Sequence, residues 1–122
     1  MNYYIRGNNM NANFKDGVIR NGTAIGAGTA LGNIKDGVIR NGFAKGSGTA
    51  LGNVKDGVVR NGFAKGAGTA LFNVKDGVVR NGSMAGAGSQ IGKVSDFSIK
   101  GMERELDSEI VACYHFLVKK II

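Results

Sequence analysis

The sequence predicts a mainly β protein, in which an antiparallel up-and-down meander of about eleven short strands packs on one C-terminal α-helix. Two observations lead to this fold class. A 20-residue unit of the type Asn-Val-Lys-Asp-Gly-Val-Val-Arg-Asn-Gly recurs, with copies that begin at Asn13, Asn33, Asn53 and Asn73. After residue 100 the apolar side chains instead recur every three or four residues, which is helical spacing.

We expect the 122 residues to form one domain. Residues 1–12 are predicted to form a variant N-terminal hairpin, residues 13–100 the hairpin repeats, and residues 101–122 the helix. The predicted strands include Tyr3–Arg6, Asn9–Lys15 and, in a degenerate fifth copy of the unit, Phe97–Lys100. The last of these strands and the first would form the two edges of the sheet.

Each Asp-Gly pair is predicted to form a two-residue type I′ turn, because both residues tolerate positive φ. With that turn at Asp36–Gly37, the second strand would run on past Asn41–Gly42, giving strands of about seven residues that turn again at Gly46–Gly48. One face of such a hairpin would carry Ala30, Gly32, Ile34, Ile39, Asn41 and Phe43, and the other Leu31, Asn33, Lys35, Val38 and Arg40.

A parallel β-solenoid with 20-residue coils is the alternative, with both Asp-Gly and Asn-Gly as corners. The meander is favoured because it gathers lysine and arginine on one face and the branched apolar residues on the other.

The C-terminal segment is predicted to be a helix of about 20 residues from Met102. The small residues on the inner face of the sheet require a large apolar partner, and this helix is the available one. The helix would pack on its own sheet or on the sheet of a second copy. Packing on a second copy, and the two sheet edges that are open to pairing, both favour a homo-oligomer. The predicted core or assembly residues are Leu106, Ile110, Cys113, Tyr114, Leu117, Val118 and Ile121.

The net charge of +7 is unevenly distributed, because residues 1–100 carry +8 and residues 101–122 carry −1. A basic body is typical of proteins with anionic partners such as nucleic acid or an anionic surface. The favoured interpretation is that the charge keeps a glycine-rich sheet soluble. The regular cations are the candidate contacts: Lys15, Arg20, Lys35, Arg40, Lys55, Arg60, Lys75 and Arg80. The predicted hairpin places Phe43 and Phe63 on the opposite face, which argues against a single-strand binder that combines cations with aromatic rings.

The sequence predicts no catalytic, cofactor-binding or metal-binding residue, and so no enzyme. Its single cysteine, Cys113, and single histidine, His115, have no partners at ligand spacing. The repeated aspartates, such as Asp36, are explained by their turns, and no helix follows the Gly-x-Gly segments as a phosphate loop requires. With no signal peptide and no apolar run of roughly 18 residues, we expect a cytoplasmic protein without a membrane or small-molecule partner.

The unit Asn-(Ile/Val)-Lys-Asp-Gly-Val-(Ile/Val)-Arg-Asn-Gly, followed by Gly-x-Gly-Thr-Ala, resembles the short hairpin repeats of uncharacterised bacterial proteins. The resemblance covers about residues 13–100 and excludes the helix. It implies an antiparallel hairpin array and no particular activity.

The leading expectation for function is a non-enzymatic structural or interaction protein that self-associates through its helix and sheet edges. The alternative is a polyanion-binding module that uses the repeated Lys/Arg array. A third, weaker alternative is a small-ligand barrel in which the ligand takes the place of the helix.

Overall fold

The computed structural model describes residues 11–122, which form an antiparallel sheet followed by a short helix. Consecutive strands are hydrogen-bonded neighbours throughout, so the meander is confirmed and the parallel solenoid is wrong. The nine strands of the described residues are β1 (Ala12–Lys15), β2 (Val18–Asn21), β3 (Ala30–Lys35), β4 (Val38–Arg40), β5 (Ala50–Lys55), β6 (Val58–Arg60), β7 (Ala70–Lys75), β8 (Val78–Arg80) and β9 (Gln90–Lys93).

The strand count differs from the predicted eleven at both ends of the chain. Tyr3–Arg6 and the start of Asn9–Lys15 lie outside the described residues. The predicted strand Phe97–Lys100 is wrong, because a 3₁₀ turn occupies Val94–Phe97 and only Lys100 makes a β-bridge.

The Asp-Gly turns set the register of each hairpin as predicted. Asp36 and Gly37 have φ values of 53° and 78°, both in the left-handed region that a type I′ turn requires. Lys35 therefore lies opposite Val38, and Asn33 lies opposite Arg40.

The predicted seven-residue strands are wrong, because β4, β6 and β8 each end at their arginine after three residues. Residues 41–49 instead form a loop that closes where the amide of Asn41 donates to the carbonyl of Thr49 (3.0 Å). Phe43 consequently lies in a loop rather than on the inner face of a strand.

A β-bulge corrects the predicted orientation of Leu31. Ile19 lies opposite Gly32 and Arg20 lies opposite Ala30, so Leu31 is an extra residue in β3. It packs against the core instead of sharing the face of Asn33, as do Leu51, Leu71 and Ile91 at the same repeat position.

The sheet is strongly curved. Nine strands laid flat would span about 38 Å, at about 4.8 Å per spacing. Lys100 follows Lys93, at the end of β9, by seven positions, and this stretch of chain reaches about 25 Å at most. Yet Lys100 makes a β-bridge to Asn13 of β1, and the backbone amide of Phe14 donates to the carbonyl of Lys100 (2.8 Å). The sheet must therefore curl into an open trough to let its two ends approach.

The helix lies along this trough and is shorter than predicted. It consists of α1 (Asp107–Cys113) and a π-helical segment, Tyr114–Val118. The chain is extended at Lys119, whose amide still donates to the carbonyl of Tyr114 (2.8 Å). The predicted helix of about 20 residues is thus 12 residues long, and Met102 is buried ahead of it in a turn.

The helix packs on the sheet of its own chain, on the surface that we call the helix face. Ile110, Cys113 and Tyr114 are buried there, while Leu117, Val118 and Ile121 are half-buried against the same core. The prediction for Leu106 as a core residue is wrong, because its side chain is 67% exposed where the helix begins. Each hairpin contributes one fully buried branched residue to this core: Ile19, Ile39, Val59 and Val79.

Candidate functional site

The opposite face of the sheet is covered by four equivalent loops, residues 22–29, 41–49, 61–69 and 81–89, and we call it the loop face. Asn33 holds the second loop in place. Its amide nitrogen donates to the carbonyls of Gly42 (3.1 Å) and Ser47 (3.0 Å), and its oxygen accepts from the amide of Gly46 (2.8 Å). The same three bonds recur at Asn13, Asn53 and Asn73, and all four side chains are fully buried.

The repeated arginines also hold the loops. The Nη1 atom of Arg40 donates to the carbonyl of Gly48 (3.1 Å), a charge-assisted bond near the place where the loop returns to the sheet. Arg20, Arg60 and Arg80 make the equivalent bond at 3.1 to 3.3 Å. These arginines therefore have a structural role in holding the loops.

The repeated lysines lie beside the loop tips. The aliphatic stem of Lys35 passes so close to Gly46 that a methyl group there would approach its Cδ atom to 3.1 Å. Lys15, Lys55 and Lys75 contact the corresponding glycines in the same way, and all four lysines are exposed. The structure thus places the eight candidate cations on one face, the loop face.

Two further cations and two aromatic rings share this face, and none of the four was predicted as a site residue. Phe43 and Phe63 are 77% and 76% exposed. Lys45 and Lys65 follow them two residues later and are also exposed. The expected separation of aromatic rings from cations is therefore wrong. A signal was available, because Phe-Ala-Lys-Gly occurs in two successive repeats next to an Asn-Gly pair that favours a turn.

The lysines of these two loops rest on the preceding hairpin. A methyl group at Gly17 would approach the Cδ atom of Lys45 to 2.7 Å, and one at Gly37 would approach the Cε atom of Lys65 to 3.2 Å. Each lysine stem therefore packs over the glycine of an Asp-Gly turn. This packing limits the positions that the two ammonium groups can take.

The edge formed by the Asp-Gly turns has mixed charge. An open groove of about 450 Å³ lies there, lined by lysines and by carboxylates that include Asp16, Asp36, Glu105 and Glu109. Burial, and to a smaller extent the neighbouring Glu105, raises the pKa of Glu109, whereas Lys65 lowers it. Lys45 lines this groove and Lys65 acts on Glu109, so the carboxylates partly offset the positive charge of both lysines.

The two reactive side chains of the helix are buried. Burial raises the pKa of the Cys113 thiol far above its usual value, which disfavours the reactive thiolate form. His115 lies between the rings of Phe72 and Phe116, and its Nδ1 atom accepts a hydrogen bond from the amide of Ile121 (3.1 Å). Both groups are thus part of the packed interior between the helix and the sheet.

Residues 11–122 contain no group of three or more His, Cys, Asp or Glu side chains placed to hold a metal ion. In the same residues, no helix has the length and apolar character needed to cross a membrane. Comparisons with protein-family models, curated proteins and solved structures found no match to this chain.

Proposed function

We propose that this chain is a non-enzymatic binding protein whose loop face binds polyanions. The observation that carries the proposal is the position of Phe43 and Phe63, which project from the same loops as Lys45 and Lys65 instead of lying on the opposite face. Cations arrayed along a surface attract a polymer of negative charges, and exposed rings beside them add contact area.

The spacing of the loops suits a linear ligand. Equivalent residues of successive hairpins lie two strand spacings apart, or about 9.6 Å. A polymer that runs across the strands would therefore meet Lys45 and then Lys65, each with an adjacent arginine, Arg40 or Arg60, near the base of its loop. Each contact is weak alone, and the row gains affinity by acting together.

Retention on a heparin column, eluted with salt, tests this proposal. We expect the wild-type chain to bind and to elute at lower salt after the paired change Lys45→Ala and Lys65→Ala, because each lost contact weakens binding and its salt dependence. Alanine already occupies the equivalent position, Ala85, in the fourth loop, so the fold tolerates it.

The matched control is the pair Lys119→Ala and Lys120→Ala, which removes the same charge from the end of the helix. It should change elution less than the loop pair does. Equal effects of the two pairs would show that net charge alone governs retention, and absence of retention by the wild-type chain would contradict the proposal outright.

Self-association is the second candidate function, and a different observation favours it. Each of the four loops exposes one large apolar side chain, Ile25, Phe43, Phe63 or Met84. Such a row on the surface of one chain is a candidate for burial against a second copy. The helix is less available for this purpose, because its own sheet covers most of it.

The sheet edges are also less available for pairing than predicted. Lys100 bridges to β1, and on β9 the amide of Lys93 is bound by the carboxylate of Asp96 (3.0 Å). Both contacts make a strand edge less available for pairing with another chain. The solution mass of the full chain tests self-association: a dimer or larger that Phe43→Ser with Phe63→Ser converts to a monomer would support it, and a wild-type monomer would contradict it.

A further inference from the structure

The second and third loops present the same pair of side chains, and no other described loop does so. We call this surface the Phe–Lys row and define it as Phe43, Lys45, Phe63 and Lys65. The first loop has Thr23 and Ile25 at the equivalent positions, and the fourth has Ser83 and Ala85. The two complete pairs are adjacent in the sheet, so they form one continuous surface of two repeats.

Resting on the polyanion function proposed above, we propose that the Phe–Lys row binds single-stranded nucleic acid, with one base stacked on Phe43 and another on Phe63 and phosphates at Lys45 and Lys65. Base–aromatic stacking tolerates any sequence, because every base has a π-face. The two exposed rings supply this contact, and the anchored lysines supply the charge.

The ring spacing favours a single strand over a duplex. The strands that carry the two loops lie about 9.6 Å apart, and the loops lie on the outer side of the curved sheet, whereas bases stacked within one strand of a duplex rise about 3.4 Å per step. Bases that reach both rings must therefore be unstacked from each other, which only an unpaired strand does at low cost. A duplex, whose bases are already stacked and paired, would contact the lysines alone.

The same geometry separates nucleic acid from other polyanions. A sulfated polysaccharide such as heparin has the charges but no aromatic rings, so its affinity depends on the lysines and not on the phenylalanines. Removal of the rings should thus weaken the binding of nucleic acid alone, while removal of the lysines should weaken the binding of every polyanion.

The experiment measures binding of the full chain to a labelled single-stranded oligonucleotide of mixed sequence, to its duplex and to heparin, at one fixed salt concentration. The test variant is Phe43→Ser with Phe63→Ser, which copies Ser83 of the fourth loop. Both rings are about three-quarters exposed, so the urea midpoint should change little. We expect a loss of at least about tenfold in single-strand affinity, from the stacking of two bases, and unchanged heparin affinity.

Ser83→Phe with Ala85→Lys supplies the opposite test, because it extends the row into a third loop. It should tighten single-strand binding, and Ala85→Lys alone should do so less. Single-strand affinity that is insensitive to both ring changes, in a chain whose heparin affinity still falls with Lys45→Ala and Lys65→Ala, would overturn this inference and leave the polyanion function standing. Equal affinity for duplex and single strand would also overturn it. No binding to any of the three ligands would contradict both this inference and the polyanion function.

Discussion

Phe72 and His115 meet edge to face, with their ring centroids 5.3 Å apart, at a position where the fourth repeat departs from the second and third. Repeats two and three have glycine at this position, Gly32 and Gly52, and there the helix comes so close that Leu117 and Phe116 occupy the space of a side chain. The fourth repeat fills the remaining space with a phenyl ring of its own, which is fully buried.

Phe72→Gly should therefore destabilise the protein, although it makes the fourth repeat match the second and third. We expect a loss of at least about 3–5 kcal/mol in the free energy of unfolding, the range for removing a buried phenylalanine side chain. Urea unfolding measures it. Phe63→Ser is the control, and its exposed ring should contribute less than about 0.5 kcal/mol. Similar values for the two variants would contradict the packing described here.

The buried asparagines give a second prediction. Asn53→Ala removes bonds to Gly62, Ala67 and Gly66 at once and leaves their polar groups beneath the loop without a partner. Because each buried group left unsatisfied costs about 1–3 kcal/mol, we expect a loss of about 3 kcal/mol or more in urea unfolding. The control is Asn61→Ala, which removes one exposed bond from the amide of Thr69 and should cost about 1 kcal/mol.

Asn53→Asp sharpens this test, because a carboxylate keeps the shape but cannot donate to the two carbonyls. It should be at least as destabilising as the alanine variant near neutral pH. A chain that tolerates both changes would show that the loop is held by something other than the asparagine.

The thiol of Cys113 gives a third prediction. Since it is fully buried and its pKa is raised by burial, then by Glu109 and Glu105, a thiol reagent should reach it only when the helix leaves the sheet. The native chain should react at least about a hundredfold more slowly than the chain in urea, in proportion to the small open population. Reaction at the unfolded rate under native conditions would show that the helix is not docked.

The local parts of the fold were predictable from the sequence. Asp36–Gly37 has few alternatives to a type I′ turn, and that turn fixes the register that brings Ile34 opposite Ile39. The apolar period around Cys113 likewise placed it in a buried helical segment. In both cases one short stretch of chain contains all the information that the prediction needs.

The position of Phe43 was not predictable by the same means, because strand alternation assumes that the strand continues. What ends β4 is a contact between residues 13 apart, Asn33 and Gly46. The clue was Asn33 itself, a poor strand former repeated inside a strand, which needs hydrogen-bond partners if it is buried. The predicted length of the helix was wrong for a similar reason. The hydrogen bond between the amide of Ile121 and His115, rather than helical propensity, sets the conformation of the chain after the helix.

The last prediction concerns pH. Burial, and then the charge of Lys120, lowers the pKa of His115 from its usual 6.5. Its Nδ1 atom accepts a hydrogen bond from the amide of Ile121, so the folded state requires the neutral ring. A lowered folded pKa means that the unfolded chain binds more protons; the stabilising contribution is complete above pH 6.5 and is lost as the pH falls below it.

We therefore expect the free energy of unfolding to decrease between pH 7.5 and 5.5, with a slope of at most about 1.4 kcal/mol per pH unit from this one group. His115→Phe keeps an aromatic ring against Phe72 and should flatten the slope. Glu109 acts in the opposite direction at lower pH, because its raised pKa makes the folded state bind more protons there, so Glu109→Gln is the control. A wild-type slope that survives His115→Phe would assign the pH dependence to another group.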